Sequence, residues 1–240
     1  MDRESGMGRR RAHRGVGAVL LAILLGGARS AAAQGRIGGG AALTIAVPQG
    51  EFADFVGAGF GVMGDLTFAL DREGWLGIRL DGGYLNYGRE TERAPLSPTV
   101  GRVNVDVTTG NNIILAALGP QLTLPHGPFR PYVNAIGGLS YFFTESSVKG
   151  TANVGTFART TNFSDLTYAL GVGGGVYIPL GGGVSPVLLD LGLQYRTHGR
   201  TRYLREGSIR DDGTGGISFT PIESDTDLLL IRLGLSFGFR

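Results

Sequence analysis

Residues 228–240 read Leu-Leu-Leu-Ile-Arg-Leu-Gly-Leu-Ser-Phe-Gly-Phe-Arg, and their alternation decides the fold. Leu229, Ile231, Leu233, Leu235, Phe237 and Phe239 stand on one face of an extended chain. Arg232, Gly234, Ser236 and Gly238 stand on the other. In a β-strand successive side chains point to opposite faces, so a period of two over this length predicts a strand rather than a helix.

The same period recurs upstream. It marks residues 37–47, 56–70, 76–85, 109–124, 129–143, 166–178 and 187–195, which makes eight strands with the C-terminal one. The faces opposite the apolar residues carry mainly glycine, alanine, serine and threonine. Single charges interrupt them: Asp65, Arg79, Asp81, Arg130, Asp190, Arg196 and Arg232. A soluble sandwich places long polar groups on its solvated faces. Small residues with a few charges of both signs fit instead the crowded interior of a narrow closed barrel whose apolar side chains face outward.

Connection lengths point the same way. Residues 71–74, 125–128 and 181–186 are short turns, whereas 88–108, 144–165 and 199–224 are long, polar segments expected as loops. Short and long alternate along the chain, as they do where a meander puts turns on one rim and loops on the other. The connection Pro48–Phe55 belongs to the loop side although it is brief. Eight antiparallel strands can close without an edge, so 37–47 is expected to pair antiparallel with 228–239. Aromatic residues sort by rim as interfacial girdles would. Tyr84, Tyr87, Tyr141, Phe143 and Tyr195 lie toward the loops, and Phe68, Trp75, Phe129, Phe237 and Phe239 toward the turns.

The first 33 residues read as a secretory signal peptide. Arg9, Arg10, Arg11 and Arg14 precede a short apolar run, Val16–Leu25, and Ala31-Ala32-Ala33 offers a cleavage site between Ala33 and Gln34. Residues 34–240 are then one barrel domain. The 240-residue chain has 22 basic and 20 acidic residues. The leader removes six arginines and two acids, so the mature chain keeps 16 bases against 18 acids, and no nucleic-acid partner is expected. The absence of cysteine excludes disulfides, thiol nucleophiles and cysteine-based metal sites. Three histidines leave little for a metal cluster, and neither a metal nor a cofactor is expected.

With these features the chain resembles the small eight-stranded outer-membrane β-barrels of Gram-negative bacteria, the OmpA/OmpX/OmpW-like group. The resemblance implies an all-β, closed, antiparallel transmembrane meander in the cell outer membrane, monomeric and surrounded by lipid and lipopolysaccharide. It implies a C-terminal assembly signal, matched by Leu233, Leu235, Phe237 and Phe239, that the barrel assembly machinery reads; the final residue, Arg240, departs from the terminal aromatic. No peptidoglycan-binding module is expected after it. The group implies a non-enzymatic structural or surface-interaction role exercised through the long loops. The alternative is a narrow, porin-like channel for small or hydrophobic solutes. Lower alternatives are a lipid-modifying barrel enzyme and a secreted lipocalin-like ligand-binding barrel, which would turn Leu191 and Leu233 inward.

Among individual residues, the inward charges are expected to pair, because buried charges are costly otherwise. They form either a structural salt-bridge plug or the lining of a pore. His198 is expected to be a solvated residue at a loop edge. As a catalytic base it would need a serine and an acid beside it, and no Gly-x-Ser-x-Gly motif is present. Gly171, Gly173, Gly174 and Gly175 fall within a strand and are not followed by Lys-Ser or Lys-Thr, so they mark close approach of side chains across the barrel rather than a phosphate loop.

Overall fold

A computed structural model of the protein describes residues 37–95, 104–150, 156–181, 187–205, 208–211 and 217–238. The expected leader with its Ala33/Gln34 junction lies outside these residues, and so does Phe239. Eight strands form the barrel wall: β1 (Ile37–Pro48), β2 (Gly59–Ala69), β3 (Leu76–Pro95), β4 (Asn104–Thr123), β5 (Arg130–Gly150), β6 (Thr156–Pro179), β7 (Leu188–His198) and, last in the chain, β12 (Leu228–Phe237). Four strands of three residues each, β8 (Thr201–Tyr203), β9 (Ile209–Asp211), β10 (Ile217–Phe219) and β11 (Ile222–Ser224), fold the connection between β7 and β12. They pair as β8 with β11 and β9 with β10.

Each wall strand is antiparallel to its neighbours, and β1 closes on β12 from Gly39 opposite Phe237 to Pro48 opposite Leu228. The fold is therefore an all-β, closed, eight-stranded antiparallel barrel of the transmembrane type. The first hairpin pairs Ile37 with Phe68 and Ala46 with Gly59. No helix among the described residues is long and apolar enough to cross a membrane; the strands supply the apolar surface.

The alternation assigns the two faces. Leu43, Val62, Leu80, Leu118, Val133, Leu170, Leu193 and Leu233 point outward and are exposed, whereas Thr44, Asp65, Arg79, Asp81, Gln121, Asn134, Gln194 and Arg232 are buried inside. Leu233 is 54% exposed and lies directly between Leu43 and Leu191 on the flanking strands. This orientation overturns the lipocalin-like alternative, which needs the same leucines around an interior cavity. Phe68, Trp75, Phe129 and Phe237 ring the turn side, and Tyr84 and Tyr195 the loop side. Tyr87 leaves the expected girdle. It shares the inward parity of Asp81 and Leu85, is buried, and is the extra residue at the register shift between Asn86 and Gly88.

Two of the expected long loops are largely strand. β3 and β4 stay paired to Pro95 opposite Asn104, and β5 and β6 to Lys149 opposite Thr156. These strands run to 20–24 residues, longer than the 10–16 of the matching alternating segments. Beyond the apolar belt the alternation of polarity stops while the ladder continues. Cross-strand hydroxyl pairs occur there, Thr91 with Thr108 at 3.0 Å and Thr109 with Ser146 at 2.9 Å, and β-branched residues favour the extended backbone. The connection Pro48–Phe55 is also structured, as a 3-10 helix over Gly50–Asp54 that buries Phe52.

On the turn side, the Asp71 carboxylate accepts hydrogen bonds from the amides of Leu76 (2.9 Å) and Trp75 (3.1 Å). The Leu76 bond is the chief reason its carboxyl sits below the ordinary aspartate range. The folded form thus binds this proton less readily than the unfolded chain. The resulting support for the turn is complete above the unfolded pKa and is lost as pH falls through the lowered folded value. The Leu76 amide resonance should titrate with a midpoint below the peptide value of about 3.9; a midpoint at or above that value would remove the assignment. The lipid face gives a second expectation. Leu233→Arg should cost about 2–4 kcal/mol of folding stability in vesicles if the site lies near the bilayer midplane, read as a shifted denaturant midpoint. An unchanged midpoint would count against a lipid-facing Leu233.

Candidate functional site in the barrel lumen

The charges of the lower half of the lumen come from the inward positions of four strands. Arg79 and Asp81 are two residues apart on β3, so both turn inward, and Asp65 reaches them from β2. Asp190 and Arg196 come from β7, and Arg232 from β12. Six of the seven charges predicted from sequence meet here in one alternating chain. Arg196 binds Asp81 at 3.3 Å, Asp81 binds Arg79 at 2.7 Å, Arg79 binds Asp65 at 2.9 Å, Asp65 binds Arg232 at 2.8 Å, and Arg232 binds Asp190 at 3.2 Å. Three arginines face three aspartates, so the chain is neutral. The seventh residue, Arg130, has the same inward parity but stands half-buried at the turn-side rim, at the start of β5.

Neutral polar groups take up part of the remaining donor and acceptor positions, while Asp65 Oδ2, Arg196 Nη1 and Arg232 Nε are buried without a hydrogen-bond partner. The Arg79 guanidinium donates to Gln121 at 2.9 Å, Gln194 donates to Asp81 and Asn134, and Arg196 donates to Gln194 at 2.9 Å. The Tyr132 hydroxyl donates to Asp190 at 2.7 Å, and its ring stacks on Tyr177 with centroids 4.4 Å apart. Tyr132 explains part of the glycine run. A Cβ at Gly175 or Gly192 would stand 2.6 or 2.7 Å from its hydroxyl oxygen, so a side chain at either position would have to displace the Tyr132 ring.

The upper half of the lumen is apolar, which departs from the expected polar interior. Leu85, Ile113, Leu115, Phe142, Leu228 and Leu230 are inward and buried. Phe52, carried by the 3-10 helix, inserts among them and meets Tyr203 at 5.0 Å, Tyr87 at 5.7 Å and Phe142 at 6.3 Å, each edge to face. Tyr203 comes from β8, where its hydroxyl shares a 3.0 Å bond with Ser224 and burial raises its phenol above the ordinary value. His198 is also part of this layer. It is buried rather than solvated, its ring lies edge to face on Phe142 at 5.7 Å, and its Nδ1 bonds the Thr226 carbonyl at 2.5 Å. A carbonyl only accepts, so Nδ1 carries the proton. The Thr226 carbonyl, from the segment between β11 and β12, and the Phe142 ring from β5 enclose a histidine expected at a loop edge. Among the described residues no group of three or more His, Cys, Asp or Glu side chains could hold a metal ion.

Both layers are closely packed. Arg79, Arg196, Tyr177, Leu85, Ile113 and Leu230 are each 0% exposed, so no water-sized space touches them.

No protein-family model matches the chain, and no curated protein matches it. Solved structures do. The neisserial surface protein NspA aligns at 14% identity over 85% of this chain and 97% of its own, with a TM-score of 0.40. Ail, the attachment invasion locus protein of Yersinia pestis, aligns at 9% identity over 85% and 97%, with a TM-score of 0.44. A major outer membrane protein of Thermus thermophilus aligns at 17% identity over 83% and 98%, with a TM-score of 0.37. At these identities the likeness extends to the fold alone.

Asp65 is the only carboxylate in the chain of ion pairs that bridges β2 to both β3 and β12, through Arg79 and Arg232. Asp65→Asn should cost about 3–5 kcal/mol, because it leaves three buried guanidinium groups facing two carboxylates. The denaturant midpoint of the folded barrel in detergent measures it, and a loss below about 1 kcal/mol, the range of exposed pairs, would show that the chain does not hold the wall together.

Proposed function

We propose that the protein is a non-enzymatic outer-membrane barrel with a sealed lumen, acting through the hairpins and loops beyond the lipid. The observation that carries this reading is the double obstruction of the interior: a neutral chain of six paired charges below, and an apolar plug around Phe52 above. Eight strands leave an interior just wide enough for side chains to fill, and here they fill it. A channel needs a continuous polar path, which the layer of Leu85, Ile113, Leu115 and Leu230 opposes.

The outward apolar belt and the absence of an open edge among the wall strands support a membrane location, since hydrocarbon offers no partner for an unpaired amide. The leader and its Ala33/Gln34 junction would carry the chain to the outer membrane, where Leu233, Leu235, Phe237 and Phe239 would be read by the assembly machinery. Lipid and lipopolysaccharide would contact the belt of a monomer. The paired extensions of β3–β4 and β5–β6 give the extracellular side a surface built on strands rather than loose loops, which suits contact with envelope components or other cells.

Planar-bilayer recording with liposome swelling tests the sealed lumen. The expected result is no stable conductance step and no swelling by small solutes. A discrete conductance abolished by a bulky substitution at Gly173 would overturn the reading in favour of a narrow channel.

A further inference from the structure

A cleft of about 250 Å³ opens on the loop side where β3 outruns its neighbour. β2 pairs with β3 only as far as Phe60 opposite Asn86, whereas the ladder from β3 to β4 continues with Gly88 opposite Asn111. Residues 55–57, which lead into β2, belong to no strand. The edge of β3 at Gly88 is therefore not covered by a ladder partner, and the cleft lies there, walled by Phe55, Val56, Tyr87, Asn111 and Arg205. A bulge re-aims the residue that it inserts, and here that residue is Tyr87. The space is open in the folded chain, so no side chain has to move for a ligand to enter it.

Two polar groups reach the cleft from fixed positions. Asn111 is 2% exposed, and its Oδ1 accepts the Thr144 hydroxyl at 2.7 Å, which leaves the amide nitrogen as the end free to donate. Its neighbour on β3 is Gly88, which has no side chain to cover it. Arg205 is exposed. Its amide donates to the Ser208 hydroxyl at 3.1 Å, and the carbonyl of Leu204 before it accepts the Tyr87 hydroxyl at 3.4 Å, so its backbone is held from two directions. Its guanidinium lies over the Phe55 ring at 5.6 Å and makes no hydrogen bond or ion pair among the described residues. The lining contains no carboxylate. A cation without a counter-charge, an amide donor and apolar surface thus converge on one small space.

We propose that this cleft binds a short apolar monocarboxylate from the loop side. The carboxylate finds its counter-charge in the Arg205 guanidinium, whose parallel N–H donors match the two oxygens, and it accepts a further bond from the Asn111 amide. The apolar body lies against Phe55, Val56 and the Tyr87 ring. Pockets for drug-sized ligands run from about 300 Å³ upward, so the cleft takes a short chain rather than a larger molecule. The site stands beside the apolar plug and asks nothing of it: Phe52 keeps its place and the lumen stays closed. Conductance tests the sealed lumen and ligand titration tests the cleft, so either can fail alone.

The test is titration of hexanoate, and of its neutral counterpart hexanamide, into the barrel in lipid nanodiscs, with empty nanodiscs subtracted. The backbone amide resonances of Gly57 and Gly88, both of which line the cleft, report where the ligand sits. In the wild type hexanoate should shift both resonances saturably and bind about tenfold more tightly than hexanamide, as expected for one charge-assisted bond. Arg205→Gln changes an exposed residue outside both packed layers. It should weaken hexanoate about tenfold, leave hexanamide nearly unchanged and so abolish the preference. The absence of a saturable shift at Gly57 and Gly88 at millimolar hexanoate overturns the site. Undiminished hexanoate binding by Arg205→Gln, or equal wild-type affinity for the two ligands, overturns the ligand class.

Discussion

The structure depends on one constraint: within hydrocarbon every backbone amide and carbonyl must find its partner in the chain. The seam between β1 and β12 meets it, running from Gly39–Phe237 to Pro48–Leu228 without a break in register. Once that seam exists the wall has no edge, and the two faces of each strand acquire opposite solvents. Outward leucines and valines meet lipid, while inward residues must satisfy one another. Closure therefore dictates both the apolar belt and the paired interior.

The interior solves that requirement in two different ways along its axis. Below, the charges pair with one another and bond to amide and phenol groups around Tyr132, Gln121 and Gln194. Above, polar groups give way to leucines and aromatic rings. The change of chemistry falls near Arg196 and His198, the last inward residues of β7. A uniformly polar lumen would leave a wet path along its walls, and a uniformly apolar one would offer the arginines no partners. The layered arrangement obstructs the lumen at both levels for separate reasons.

Much of this was legible in the sequence. Period two gives strand and face, so the outward row through Leu233 and the inward positions of Asp65, Arg79 and Arg232 follow from counting. Period two does not give azimuth, the direction in which an inward side chain crosses the lumen. Arg196 shares a strand with Asp190 but binds Asp81, 115 residues away in the chain. Phe52 was illegible for a different reason. It sits in a connection, where no periodicity applies, and its burial depends on how Gly50–Asp54 folds back over the mouth. The buried state of His198 likewise depends on Thr226, in an irregular segment that leaves no pattern. The outer reaches of β3 to β6 were hidden because alternation there no longer has an apolar belt to serve, while the backbone ladder continues unchanged.

The pairing of Arg232 with Asp65 spans 167 residues, from the second wall strand to the last. It has a consequence for the order of assembly. Until β12 docks, Asp65 and Asp190 each lack the Arg232 guanidinium, and the half-built lumen must keep those carboxylates hydrated. Water can leave only when the final strand arrives with its charge. Sealing the wall and drying the interior are then a single event, and the arginine near the end of the chain is the group that completes both.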